Sequence, residues 1–291
     1  DEIETEARAN GLLAVMWQRR YLADLASRPL LLTLIAGLNA SQKRLPEDRA
    51  DLYEQSVQLL LTQWQRQSIT EGPDGQPLVD YGISRVLGMD ERDLRSAMAR
   101  LAYEVHEKQG LLDEDSRGED APADIPLGTI LEILGKATPV DLKTDVLVEY
   151  LDRRSGLLIA REKGIYSFPH RSFQEYLAGC HLTNQADFHA RICALAGNSL
   201  EWWREVILLA IGKVRQGGEG QALSALQALV PGMPEELEPV QDSHWRRAAL
   251  AATALLELRL QERAAGDEQT GVMVKRLRRW LLRQVEEGRL P

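Results

Sequence analysis

The stretch from Ile165 to Leu182, reading IYSFPHRSFQEYLAGCHL, constrains the fold more than any other part of the chain, because it runs an apolar strand directly into a helix start. Ser172 followed three residues later by Glu175 has the form of a capping box. In that motif the hydroxyl accepts from the backbone N–H at the third helical position and the carboxylate reaches back to the cap N–H. A helix is thus predicted to begin just after Arg171. His170 and Arg171 would then stand at the positive end of a helix dipole, beside N–H groups with no helical partner, where an anion such as a phosphate is favoured. Residue chemistry leaves two readings of His170 open: a phosphate contact, or an ordinary loop histidine beside a helix start.

The rest of the chain is mostly apolar residues at helical spacing. Residues 12–25 carry Leu12, Val15, Met16, Tyr21, Leu22 and Leu25 in such a pattern, and Ser27-Arg28-Pro29 restarts the chain. Proline is tolerated in a first helical turn, so a second helix is predicted from Pro29 through Leu38, with Pro29 at an accessible end. A third starts near Pro46 and carries Tyr53, Val57, Leu60 and Trp64 on one stripe. Glu71-Gly72-Pro73-Asp74-Gly75-Gln76-Pro77 is dense in turn formers and reads as a linker or loop.

Beyond it, helices are predicted over 91–108, 127–134 and 140–154, with an acidic, loop-like segment from Leu112 to Pro126 between the first two. Gly156 to Arg161, a Glu162-Lys163-Gly164 turn and Ile165 to Phe168 make one β-hairpin. After Leu182 the pattern changes to pairs of amphipathic helices: 188–196 with 200–214, 221–230 with 244–260, and a further helix over 272–285. The fold expected is mainly α: a helical domain over 1–70, a winged-helix domain with one β-hairpin over 71–183, and HEAT-like α-helical repeats over 184–291. A plain helical bundle is the alternative for the last part.

Composition narrows the function. A net charge of −9 gives no global attraction to nucleic acid or to an anionic membrane. The longest apolar runs fall far short of the ~20 residues needed to span a bilayer. Two cysteines, Cys180 and Cys193, are few for a disulfide-stapled secreted protein, which points to a reducing, cytoplasmic compartment. The first residues, Asp1-Glu2-Ile3-Glu4, lack a Met and suggest a piece of a longer protein. Cys180, His181, His189 and Cys193 have no C-x-x-C knuckle, and adjacent Cys180 and His181 diverge by about 100° on a helix, so ordinary packing is the better reading than zinc.

No P-loop is present: Gly135-Lys136-Ala137 and Gly212-Lys213-Val214 lack both the upstream glycine and the hydroxyl after the lysine. Nor is there a G-x-S-x-G elbow or an HExxH helix. The 140–154 helix, which would read DNA in a winged helix, carries more acidic than basic residues and is a poor partner for phosphates.

Three strings carry a family resemblance. Phe168-Pro169-His170-Arg171-Ser172-Phe173-Gln174-Glu175-Tyr176-Leu177-Ala178 resembles the motif that ends the winged-helix domain of NACHT-type ATPases of the STAND class. Arg28 to Ala36, RPLLLTLIA, resembles the proline-containing segment of that family's first helical domain, and Leu45 to Glu54, LPEDRADLYE, the helix that follows it. They occur in the family's order, over roughly residues 10–182.

The resemblance implies the regulatory portion of a nucleotide-controlled switch, off with ADP and on with ATP. An upstream P-loop domain holds nucleotide and Mg in the intact protein, which becomes a homo-oligomer when activated. By motif position Pro29 would pack on the adenine side and His170 would touch the terminal phosphate of ADP, with Arg171 and Ser172 as support at the same helix start. The chain alone would bind ATP or ADP weakly and hydrolyse neither. Bacterial members of the family often serve in antiphage defence or regulation. The rival readings are a helical-repeat interaction scaffold without a nucleotide role and a winged-helix DNA-binding regulator.

Overall fold

A computed structural model describes residues 14, 20–42, 46, 48–65, 68–71, 77–80, 88, 90–112, 122–137, 156–237, 239–260 and 268–288. The expected helix over 140–154, the core of the acidic segment after Leu112 and the Trp64 side chain lie outside them. The chain is mainly α-helical and divides into two compact units, Asp1–Leu60 and Leu61–Pro291.

The N-terminal unit holds α1 (Arg20–Ala26), α2 (Pro29–Gln42) and most of α3 (Arg49–Gln65). Leu22, Ile35, Leu38 and Leu52 make its core, with Leu25 and Ala26 packed against them. Pro29 is the first helical residue of α2, as its fixed φ and missing N–H favour. It is exposed, and its carbonyl accepts from the Thr33 hydroxyl at 2.9 Å. The helix expected from Pro46 instead begins at Arg49, because the Asp48 carboxylate accepts from the Asp51 N–H at 2.8 Å and so sets the cap.

In the second unit a hairpin flanks the stretch expected to be a linker or loop: β1 (Ser68–Glu71) pairs antiparallel with β2 (Pro77–Asp80). Long helix α4 (Glu91–Gly110) is capped by Asp90, whose carboxylate accepts from the Asp93 N–H. Then come β3 (Ile125–Pro126), α5 (Leu127–Ala137), β4 (Ile159–Glu162) and β5 (Ile165–Ser167). The expected hairpin is β4–β5, and β3 adds a third antiparallel strand on the other side of β5. The single hairpin expected from the sequence therefore supplies two strands of a three-stranded sheet, with β1–β2 as a second ribbon. Gly164 turns the β4–β5 hairpin at φ +78, a left-handed backbone that suits glycine, and its carbonyl accepts from the Leu127 N–H at the start of α5.

β5 delivers the chain through Phe168 and Pro169 into α6 (Arg171–Thr183). This helix packs on α4 and on α8 (Leu200–Gln216). Its approach to α8 is close: a methyl group added at Gly179 would lie 3.0 Å from the Val206 carbonyl oxygen and 3.1 Å from the Ala210 nitrogen. The remaining helices are α7 (Phe188–Asn198), α9 (Glu219–Leu229), α10 (Asp242–Glu257) and α11 (Glu268–Glu286).

The alternation of amphipathic helices expected here is present, and α7, α8, α9 and α10 each pack on the other three. Arg247 of α10 donates to the carbonyls of Ala228 and Leu229 at the end of α9, satisfying groups that the helix itself leaves open. Trp280 of α11 is buried, meets Trp245 edge to face and donates to the Gly232 carbonyl. Among the described residues no helix is long and apolar enough to cross a membrane.

Candidate functional site

The start of α6 differs from the capping box expected of Ser172 and Glu175. His170 is the N-cap, with extended backbone at φ −156 and ψ 150, and its imidazole Nδ1 accepts from the Ser172 N–H at 3.1 Å. The Ser172 hydroxyl lies 2.8 Å from the same nitrogen. Ser172 is thus the second helical residue. Glu175 does not reach back to the cap; it accepts from Arg171 Nε at 2.9 Å, a charged partner one helical turn away. Arginine in a first turn is at the unfavourable end of the helix dipole, and the carboxylate offsets it.

The cap fixes the chemistry of His170. An Nδ1 that accepts from a backbone N–H carries no proton, so in the neutral ring the proton is on Nε2 and that nitrogen is a donor. A half-buried donor held at a helix N-terminus suits an anion, and the ring's rotation is set by the cap. His170, Arg171 and Ser172 are brought together at this start. Pro29 belongs to the N-terminal unit.

Behind the cap lies a buried polar group that the sequence did not disclose. His106 and Gln174 are both 0% exposed. His106 Nε2 sits 3.3 Å from the Trp202 carbonyl, which can only accept, so this nitrogen carries the proton and Nδ1 accepts from Gln174 Nε2 at 3.4 Å. The second proton of the Gln174 amide goes to Gln109 Oε1 at 3.2 Å, and its oxygen accepts from the Ala123 N–H at 2.8 Å.

Trp202 returns the bond: its indole Nε1–H donates to the His106 carbonyl at 3.0 Å, and its ring stacks on the His106 ring at 4.7 Å. Gly110 makes room, since a methyl group there would lie 2.5 Å from the indole nitrogen. The Arg171 guanidinium lies 4.5 Å from the centroid of the Trp202 ring, a cation–π contact. Trp203 packs on His106 and Tyr103. The sequence suggests one indole in a core and the other at an inter-helix or inter-domain seam; both are buried and meet side chains of α4.

The only signal for His106 was its place at the edge of the apolar face of α4. Cys180 is buried, Cys193 donates to the Ala228 carbonyl, His181 packs on Tyr103 and His189 on Phe188.

Burial, aided by the nearby Arg171 charge, pushes the His106 pKa down from 6.5 to about 3. The unfolded chain therefore takes up a proton below pH 6.5 that the folded chain refuses. Stability is expected to be undiminished by this group above pH 6.5 and to fall by about 1.4 kcal/mol per pH unit as the pH drops below it. Comparing urea unfolding of wild type and His106→Gln at pH 7 and pH 5 isolates the effect. The same pH dependence in both chains would show that another group carries it.

Residues 49–182 match a family model described as the winged helix-turn-helix domain C-terminal to NACHT. No curated protein matches the chain. The matched stretch, with its small sheet leading into α6, is similar to the winged-helix domains described by that model. By its description, such a domain lies C-terminal to a NACHT domain in the proteins the model covers.

Proposed function

We propose that the chain is the regulatory portion of a NACHT-family STAND NTPase, a nucleotide-controlled signalling switch that is off with ADP and on with ATP. What supports this reading most is the His170 cap: Nδ1 accepts from the Ser172 N–H, which puts the proton of the neutral ring on Nε2 at a helix N-terminus. ADP, when bound by the upstream domain with its Mg, supplies the negative charge that such a donor suits. His170 then acts as a latch that holds the winged-helix segment on the nucleotide domain. Pro29 packs on the adenine side, and Arg171 and Ser172 hold the cap. Loss of the latch frees the segment and permits homo-oligomerisation. Antiphage defence is one setting in which such a switch would serve.

A hydrogen bond to a charged group contributes roughly 1.5–3 kcal/mol, and such a difference shifts a two-state equilibrium by about 10- to 150-fold. In the intact protein His170→Ala is expected to speed ADP release by that order and to raise the oligomer fraction without nucleotide exchange. Stopped-flow release of a fluorescent ADP and light scattering measure the two. Unchanged values in both, at matched thermal stability, would leave the scaffold reading in its place.

A further inference from the structure

Arg171 occupies a costly place. A cation in the first turn of a helix meets the positive end of the dipole, and this one is also largely shielded, with its side chain 14% exposed and that of Glu175 11%. Two of its contacts help to offset the cost. Glu175 fixes the guanidinium from within α6, and the face of Trp202 fixes it from α8. Trp202 is itself held by the reciprocal bonds with His106 and by the gap at Gly110. The residue before Arg171 is His170, whose carbonyl accepts from the Phe173 N–H in the same turn. The cap ring and the guanidinium therefore share one turn of backbone.

We propose that Arg171 is a positioning residue for His170, and that through its stack on Trp202 the C-terminal helices set whether the His170 ring keeps its cap. The inference rests on the nucleotide reading only for its consequence; the positioning is a property of this chain alone. Movement of α8 that withdraws the indole takes one of these supports from the Arg171 charge at the helix start. The first turn of α6 then loosens and the Nδ1 cap with it. A signal received by the C-terminal helices would reach the phosphate-facing nitrogen by this route.

The test is ¹⁵N NMR of histidine-labelled chain without nucleotide, which reads the Nδ1-acceptor, Nε2–H signature of His170. Arg171→Lys keeps the charge but not the planar, stacking fork, and with Trp202→Leu it is expected to abolish the signature. Trp202→Phe, which keeps an aromatic face, and the surface substitution Arg191→Lys are expected to preserve it. In the intact protein Arg171→Lys is expected to speed ADP release roughly 2- to 30-fold, with no further gain when His170 is already alanine. A signature retained in both Arg171→Lys and Trp202→Leu overturns the proposal, as does an effect on release that adds in full to that of His170→Ala. A signature lost while neither Arg171→Lys nor His170→Ala alters release supports the positioning and overturns the nucleotide reading instead.

Discussion

Trp202→Ala is expected to lower the stability of the second unit by about 3–5 kcal/mol, the range for removing a large aromatic from a packed interior. The loss has three parts. The indole fills the space that Gly110 leaves open, so its removal makes a cavity that backbone cannot close. The His106 carbonyl loses its donor from Nε1. The Arg171 guanidinium loses the ring beneath it. Trp202→Phe retains the stack and most of the volume and is expected to cost less than half as much. Urea unfolding of the two variants, followed by circular dichroism, measures the difference. A loss under 1 kcal/mol for Trp202→Ala would mean that α4, α6 and α8 are held by their aliphatic residues alone.

A comparable effect is expected at Glu175, for a different reason. Glu175→Ala removes the carboxylate from a shielded pair and leaves the Arg171 charge near the positive end of α6. Breaking a buried pair from one side costs about 3–5 kcal/mol. Replacing both partners is another matter, because the desolvation of two charges is then avoided. The double variant Arg171→Met, Glu175→Leu is expected to lie within about 1 kcal/mol of wild type or above it, with methionine still able to rest on the indole. Thermal melts of the two single variants and the double variant test this. Equal melting for Glu175→Ala and the double variant would show that packing, not the orphaned charge, governs the site.

Most of the helices were legible because their apolar residues recur at three and four, which survives any change of neighbour. The ends were less so. The Ser172-to-Glu175 spacing is compatible with two helix starts, and choosing between them requires knowing that an imidazole can accept the capping N–H and that Glu175 has an arginine one turn before it. The β1–β2 hairpin was hidden by its turn-rich connection, since four-residue strands carry little alternation of their own. His106, Gln174 and Trp202 could not be read as one group at all. Their bonds join residues 68 and 96 positions apart, and nothing local in a sequence reports such a meeting. His170 stands out in the sequence through its motif, whereas its part as the cap of α6 is visible only in the structure.

The near contact at Gly179 has a mechanical consequence. With main-chain atoms of Val206 and Ala210 so near its α-carbon, α6 has no layer of side chains on which to slide along α8 at that point. Shear, the small gliding of packed helices, depends on such a layer, while hinge motion needs only a few residues at an element's end. The two helices are therefore pinned at their crossing like arms on a rivet, free to turn about it but not to glide. A displacement at the C-terminal end of α8 then swings its other end, with Trp202, sideways across the first turn of α6 instead of drawing it along the axis, so a tilt is the movement by which the Arg171 stack would open.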